Sequence, residues 1–219
     1  MPIRQKALRL PKKERKSYYT SAERTGVVLR SINPIVAFIL IMSNKEAQGV
    51  EGMTKTVENL KDAFAGESQA NRRYLTFAQK AEEEGFPQAA KLFRAAAEAE
   101  TVHAFNHIRA MGDVKTTAEN LAAAITGEVF EYKKMYPEYV KTAKKEENTQ
   151  ATWSFNVAGQ VEQIHSRLFS KAAGALKKGK ELAKVDYYLC SVCGNTVENE
   201  APEKCPVCGN PKSKFFKVT

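Results

Sequence analysis

Long hydrophobic runs are absent from this 219-residue sequence, and cysteine is absent from its first 189 residues. The longest apolar run is Ile35–Met42, whereas a helix that crosses a membrane needs about 18–20 apolar residues. A G-x-G-x-x-G fingerprint for dinucleotide binding is also missing. These absences argue against a membrane span and against a dinucleotide site within the chain itself.

Basic residues outnumber acidic ones and give a formal net charge of +9, but the excess is uneven. Residues 1–52 carry ten Lys or Arg against four Asp or Glu, whereas residues 53–219 carry 24 against 21. A nucleic-acid-binding protein would concentrate basic residues on its folded part. The charge distribution therefore argues against nucleic-acid binding.

The first 52 residues differ from the rest of the chain, because they show little helical or strand period. Met53 then opens a clearly patterned sequence. We expect residues 1–52 to be an N-terminal extension that results from a start codon assigned too early. A genuine but disordered tail is the second interpretation, and a targeting segment is the third.

Apolar residues recur with a helical period between residues 54 and 176, and capping residues, glycines and prolines divide this stretch into four helices. The predicted helices run from a cap at Thr54 or Thr56 to about Glu84, from Pro87 to Met111, from a cap at Thr116 or Thr117 through a kink at Pro137, and from about Thr149 to Leu176. Long helices joined by short loops predict a mainly α fold with an up-and-down or ferritin-like four-helix bundle at residues 53–179.

Acidic and imidazole side chains recur along these helices at metal-binding spacings. Glu100 and His103 form one Glu-x-x-His pair and Glu162 and His165 form another, so each pair shares a helix face. A lone glutamate precedes each pair by a similar distance, 33 residues for Glu67 and 34 for Glu128, and each follows a glycine. The chain therefore resembles one helix pair written twice.

The neighbours of these acids are apolar, so burial of the carboxylates would be costly without a counter-charge. Two metal ions would supply it. A Glu from each of two helices and a Glu-x-x-His from each of two others is the ligand pattern of di-iron and di-manganese bundles. The helices are therefore predicted to hold a two-metal site.

All four cysteines lie in the C-terminal module, residues 185–219, as two Cys-x-x-Cys-Gly motifs. The four are Cys190, Cys193, Cys205 and Cys208. Two tight turns of this kind can face each other and form a tetrahedral four-sulfur cage. The module alone leaves zinc and iron open.

Taken together, these motifs resemble the rubrerythrin family, and the resemblance covers Met53–Thr219. It implies a non-haem di-iron centre and a mononuclear Fe(SCys)₄ centre in a rubredoxin-like domain, held by the four cysteines. The di-iron ligands that it implies are Glu67, Glu100, His103, Glu128, Glu131, Glu162 and His165. Glu131 would exchange with His103 on one iron, and Tyr74 and Tyr136 would donate hydrogen bonds to the site.

The resemblance also implies a function: reduction of hydrogen peroxide to water in oxidative-stress defence, with electrons relayed through the four-sulfur centre. An NAD(P)H-dependent reductase or rubredoxin would supply them from outside, and we expect a cytoplasmic protein. Because about 20 Å of helix follows His165 at 1.5 Å per residue, the two centres of one chain should lie far apart. We therefore expect a head-to-tail homodimer, in which one chain's sulfur centre docks on the other's bundle.

Two other functions are alternatives to this one. A ferritin-type ferroxidase or iron-storage protein would not need a second redox domain. A plain electron carrier, with the bundle as scaffold, would leave the acids of both Glu-x-x-His pairs without a role. His107, one turn after His103, is interpreted as a neighbour of the site or an ordinary core histidine.

Overall fold

Helices dominate the computed structural model, which describes residues 54–219; the prediction for residues 1–52 lies outside this range. The helices are α1 (Lys55–Glu83), α2 (Pro87–Ala110), α3 (Thr117–Phe130), a π-helical segment (Glu131–Met135), α4 (Tyr136–Lys145) and α5 (Thr149–Lys177). The strands are β1 (Tyr187–Cys190), β2 (Thr196–Glu198) and β3 (Phe215–Lys217), with a 3₁₀ turn at Lys212–Lys214. Within the described range, no helix is long and apolar enough to cross a membrane.

The helix ends lie close to where the sequence places them. The Thr54 hydroxyl accepts a hydrogen bond from the Val57 amide, and Thr116 forms a capping box with Glu119. Gly85 follows α1 with φ +80°, a left-handed conformation that glycine adopts without steric cost. Local sequence therefore determines these boundaries.

The kink predicted at Pro137 takes the form of a π-helical turn. The Tyr136 amide donates to the carbonyl of Glu131, five residues earlier. Pro137, at the start of α4, has no amide hydrogen to continue the regular ladder. The extra residue changes the direction in which Glu131 and the side chains around it project.

The helices pack as two groups. The first helix pair consists of α1 and α2, and the second helix group consists of α3, the π segment, α4 and α5. Among residues 54–219, no extensive packing joins one group to the other. Buried apolar helix residues are nearly all small, whereas Leu92, Phe105 and Trp153 are 69%, 51% and 48% exposed. With α3, the π segment and α4 counted as one continuous helix, the structure has the four long helices of the predicted ferritin-like, mainly α fold class, which is confirmed. Each group leaves an apolar face uncovered.

The C-terminal module forms a three-stranded antiparallel sheet in the order β2-β1-β3. Tyr188 on the central strand pairs with Val197 on one side and Lys217 on the other. This small sheet after the helices is the β/loop part of the predicted fold class, and it presents the cysteines from the end of β1 and from the turns that follow.

The module folds back onto α5 of its own chain. Thr196 Oγ1 lies 3.1 Å from His165 Nε2, and Lys171 Nζ lies 2.7 Å from Glu198 Oε2. The expectation that about 20 Å of helix separates the two centres of one chain is therefore wrong. It followed the helix to its end and did not allow for a linker that returns the module alongside the same helix.

Candidate metal centres

The first half-site consists of Glu67 from α1 and Glu100 and His103 from α2. One ligand atom from each of the three lies within 4.8 Å of the others. His103 Nδ1 is 2.9 Å from Glu100 Oε2, as expected for residues three apart on a helix. Thus the first helix pair gathers one lone glutamate and one Glu-x-x-His pair.

Asn71 holds the two helices of the first half-site together. Its Nδ2 donates to the Ala97 carbonyl at 2.7 Å and to Thr101 Oγ1 at 2.9 Å. Asn71 lies one turn after Glu67, and Thr101 lies beside Glu100. These bonds fix the separation of α1 and α2 at the level of the ligands.

The second half-site repeats the arrangement with Glu128 from α3 and Glu162 and His165 from α5, again with ligand atoms within 4.8 Å. His165 Nδ1 lies 2.7 Å from Glu162 Oε2 and 4.0 Å from Glu128 Oε1. The imidazole therefore turns Nδ1 towards both carboxylates.

Thr196 determines the orientation of that imidazole. The Thr196 hydroxyl donates to the Gly194 carbonyl at 3.2 Å, so its oxygen is available to accept from His165 Nε2–H at 3.1 Å. A ligating histidine generally donates its other ring N–H to a neighbour, which fixes its tautomer. Thr196 is thus a positioning residue. With Nε2–H donated to Thr196, a metal ion can replace at Nδ1 the hydrogen bond with Glu162.

Burial and close approach shift the pKa values of the acids and the histidine in the second half-site. Burial, together with the neighbouring Glu162 carboxylate, raises the pKa of Glu128 to about 7. A hydrogen bond to Glu162 raises the pKa of His165. Burial alone would raise the pKa of Glu162, but hydrogen bonds with His165 and Glu128 outweigh it and lower the pKa. A site that protonates an acid near neutral pH lacks positive charge, which a metal ion would supply.

Glu131 and Tyr136 lie beside this half-site, at the two ends of the π segment. Glu131 is not among the three clustered ligands, but burial and then the charge of Glu162 raise its pKa. Burial raises the pKa of Tyr136, and the charges of Glu131, Glu162 and Glu128 raise it further. Tyr136 therefore remains a protonated hydrogen-bond donor.

Gly159 allows Tyr136 to pack closely against α5. A Cβ at position 159 would lie 3.1 Å from Tyr136 Cβ. The other predicted tyrosine, Tyr74, packs its ring against Phe77 and Phe93, each at 6.3 Å between centroids. His107 is not a member of the metal-binding clusters found in the described range.

The four cysteines converge as predicted. Cys190 Sγ lies 3.7 Å from Cys208 Sγ, and Cys193 Sγ lies 3.6 Å from Cys205 Sγ. A tetrahedron with metal–sulfur bonds of about 2.3 Å has edges of about 3.8 Å. These separations therefore fit one metal ion at the centre of the four sulfurs.

An asparagine follows each Cys-x-x-Cys-Gly motif and donates to sulfur. Asn195 Nδ2 lies 3.6 Å from Cys205 Sγ, and Asn210 Nδ2 lies 3.3 Å from Cys208 Sγ. Burial raises the pKa of Cys208, but hydrogen bonds from the Asn210 backbone and side chain, and from the other thiols, outweigh it and lower the pKa to about 7. The repeated Cys-Gly-Asn sequence was the signal for these donors, and sequence reasoning missed it.

Family comparisons agree with both parts of the chain. A model described as Rubrerythrin matches residues 58–173, and one described as Rubrerythrin, rubredoxin-like domain matches residues 188–216.

Two curated relatives cover most of the chain. Rubrerythrin-2 of Clostridium acetobutylicum is 37% identical over 174 residues, 73% of this chain and 95% of the relative. Nigerythrin of Nitratidesulfovibrio vulgaris is 31% identical over 192 residues, 81% of this chain and 91% of the relative. A solved structure of nigerythrin in a mixed-valence state is 31% identical and covers 77% of this chain and 89% of its own, with a TM-score of 0.45.

Proposed function

The chain belongs to the rubrerythrin family, and from this premise we propose that it is an oxidoreductase that reduces hydrogen peroxide to water. Its cofactors are a non-haem di-iron centre and a mononuclear Fe(SCys)₄ centre. We assign the first to the two half-sites together with Glu131, and the second to the four cysteines. The 3.1 Å contact between Thr196 and His165 carries the proposal, because it connects the rubredoxin-like module to a ligand of the helical site.

When bound, the irons supply the two electrons that peroxide needs: H₂O₂, two electrons and two protons give two waters. Carboxylate and imidazole ligands suit iron and leave room for a small oxidant. The two half-sites together supply four carboxylates and two imidazoles. Glu131 would add a fifth carboxylate, and the cysteines supply four thiolates. The donor sets thus fit both centres.

The chain's own residues manage protons around the site. Tyr136 keeps its phenolic proton beside the carboxylates, because burial and the neighbouring negative charges raise its pKa. It can therefore donate a hydrogen bond to a bound oxidant. We assign the same role to Tyr74, in the first half, and we propose that Glu131 and His103 alternate as ligands.

Electron supply distinguishes this function from iron storage. A rubredoxin-like module packed against a ligand helix serves an enzyme that must be reduced again after each turnover, whereas storage does not need it. The external donor, an NAD(P)H-dependent reductase or a rubredoxin, the cytoplasmic location and the homodimer remain predictions.

Anaerobic titration of the fully reduced protein with hydrogen peroxide tests the proposal. We expect about one peroxide to be consumed for every two electrons, without release of dioxygen and without mineral growth. Glu162→Ala should abolish the rapid phase while the four-sulfur absorption persists. Mineral growth with dioxygen, and no reaction with peroxide, would instead identify a ferroxidase.

A further inference from the structure

Each helix group carries only half of a di-iron ligand set. The first half-site and the second half-site each contribute one lone glutamate and one Glu-x-x-His pair, and a di-iron bundle needs both. In the described part of the chain, no metal-binding cluster combines residues from the two half-sites. A single copy therefore leaves both half-sites incomplete.

The apolar faces are incomplete in the same way. Leu92 lies three helical turns before His103 on the same face of α2 and is 69% exposed. Phe77, on α1, is 45% exposed and packs against Tyr74. On the second helix group, Tyr139 is 45% exposed and packs against Tyr136, beside the second half-site. In a closed bundle such side chains would be buried together. Each group thus exposes apolar surface next to its ligands, where the other group would cover it.

The link between α2 and α3 is too short to close a ferritin-like bundle within one chain. The links 84–86 and 146–148 are short and join hairpins of helices. The connection that forms the one long crossover in a ferritin-like fold would therefore have to be residues 111–116. In that topology α2 and α3 run parallel, and the link must return along the bundle.

The ligand positions determine the distance that this link would have to span in a closed bundle. In a closed bundle the two half-sites would lie at the same height along the bundle axis. At 1.5 Å per residue, Ala110 would then lie about 13 Å above the first half-site, and Thr117 would lie about 16 Å below Glu128. With helix axes about 10 Å apart, the link would have to span about 30 Å. Seven Cα–Cα steps reach at most about 25 Å. One chain cannot make this connection.

We propose that two copies of this chain complete each other's di-iron sites by exchanging helix pairs. The first helix pair of one copy covers the second helix group of the other, and the reverse exchange completes the second site. The partner is a second copy because this chain itself carries the matching half of the ligand set. Reciprocal exchange also covers both apolar faces with twofold symmetry. The inference rests on the di-iron assignment of the proposed function.

This arrangement revises the expected head-to-tail dimer. The rubredoxin-like module stays on α5 of its own chain, beside His165. The other copy then contributes the first half-site, with Tyr74 and His103. Exchange between Glu131 and His103 would thus take place between two chains.

Complementation between two damaged chains tests the exchange. Glu67→Ala damages the first half-site and Glu162→Ala damages the second; both glutamates are only partly buried, so truncation leaves no sealed cavity. The two variants are co-expressed with different affinity tags, and the heterodimer is purified through both. Exchanged helices would place two intact halves in one of its sites and two damaged halves in the other.

We expect the heterodimer to regain about half of the wild-type di-iron content, while each variant homodimer keeps only its four-sulfur iron. A heterodimer of Glu67→Ala with Glu100→Ala is the matched control; both lesions lie in the first helix pair, so neither site is intact and iron is not regained.

Two results would overturn the exchange: a Glu67→Ala and Glu162→Ala heterodimer with no di-iron, or a wild-type protein that sediments as a monomer with full iron. Iron content is the readout, so the exchange can hold even if peroxide turnover is absent. Equally, the proposed peroxidase activity can hold if complementation fails.

Discussion

Replacing Thr196 with valine tests the contact between the module and the di-iron ligand helix. Valine matches threonine in shape but cannot accept the His165 Nε2–H hydrogen bond, which spans 3.1 Å. One such bond contributes about 1 kcal/mol net, which is about a fivefold change in an equilibrium constant. Other contacts between the module and α5 include a partly exposed ion pair between Lys171 and Glu198 and the approach of Gly194 to Val161.

An exposed ion pair contributes little, so the loss of the Thr196 bond should be felt directly. We expect oxidation of the four-sulfur centre to slow by up to about fivefold when the fully reduced protein is mixed with peroxide. Anaerobic stopped-flow absorbance of the red oxidised centre measures this rate. Thr196→Ser retains the hydroxyl and is the control; it should match the wild type.

A Thr196→Val protein with wild-type kinetics would refute the reasoning, because the module would then communicate with the helices through some other contact. Equal slowing in Thr196→Val and Thr196→Ser would also count against it, since the hydroxyl would not be the cause. Iron content measured alongside separates a slower transfer from a lost centre.

Three further expectations concern the helix packing, the acids and the sulfur ligands. Gly159→Ala would bring a Cβ to 3.1 Å from Tyr136 Cβ, so we expect a loss of about 1 kcal/mol in thermal or urea unfolding; Gly174→Ala, with nothing within 4 Å, should be neutral or stabilising, and equal effects would contradict the crowding. Because the pKa of Glu128 is about 7 in the metal-free site, metal binding should release a proton. Below that pH the metal affinity should fall by up to about tenfold per pH unit. A cobalt affinity that does not depend on pH would contradict this. Asn210→Ala removes an amide donor 3.3 Å from Cys208 Sγ. The more negative, reduced state of the four-sulfur centre would lose about 1 kcal/mol of stabilisation, which should lower its reduction potential by about 40 mV. Voltammetry that finds no shift or a rise would contradict it.

Helix boundaries could be predicted because local chemistry determines them. Thr116 with Glu119 forms a capping box, and Gly85 and Gly112 adopt left-handed conformations just past helix ends. Each signal lies within a few residues of the structure that it determines. The π-helical turn was only half visible: Pro137 signalled a break but did not indicate its form.

The packing of the helices could not be predicted from periodicity. Periodicity indicates that a helix has an apolar face, but not which helix covers it, or whether that helix belongs to the same chain. The length of the link at residues 111–116 carried this information, because reach is a geometric property of the chain. It becomes decisive only once the short hairpins on either side are known.

Within the candidate sites, the spacing of residues in the sequence predicted most of the side chains that lie together in the structure. Two Glu-x-x-His pairs and two Cys-x-x-Cys motifs are local patterns, and each forms one face or one turn. Thr196 was missed because it reaches His165 only through the folding of the module. Asn195 was missed although the repeated Cys-Gly-Asn sequence marked it. Glu131 lies outside the clustered ligands of the described chain, and its role as a ligand stays a prediction.

Iron content of anaerobically reconstituted protein tests the central claim most directly, because the account depends on half-buried carboxylates neutralised by two metal ions. We expect about three irons per chain in the wild type, two of them in the helical site, and about one in Glu162→Ala. A wild-type protein that holds only the four-sulfur iron, with the helical carboxylates metal-free under iron-replete conditions, would contradict it.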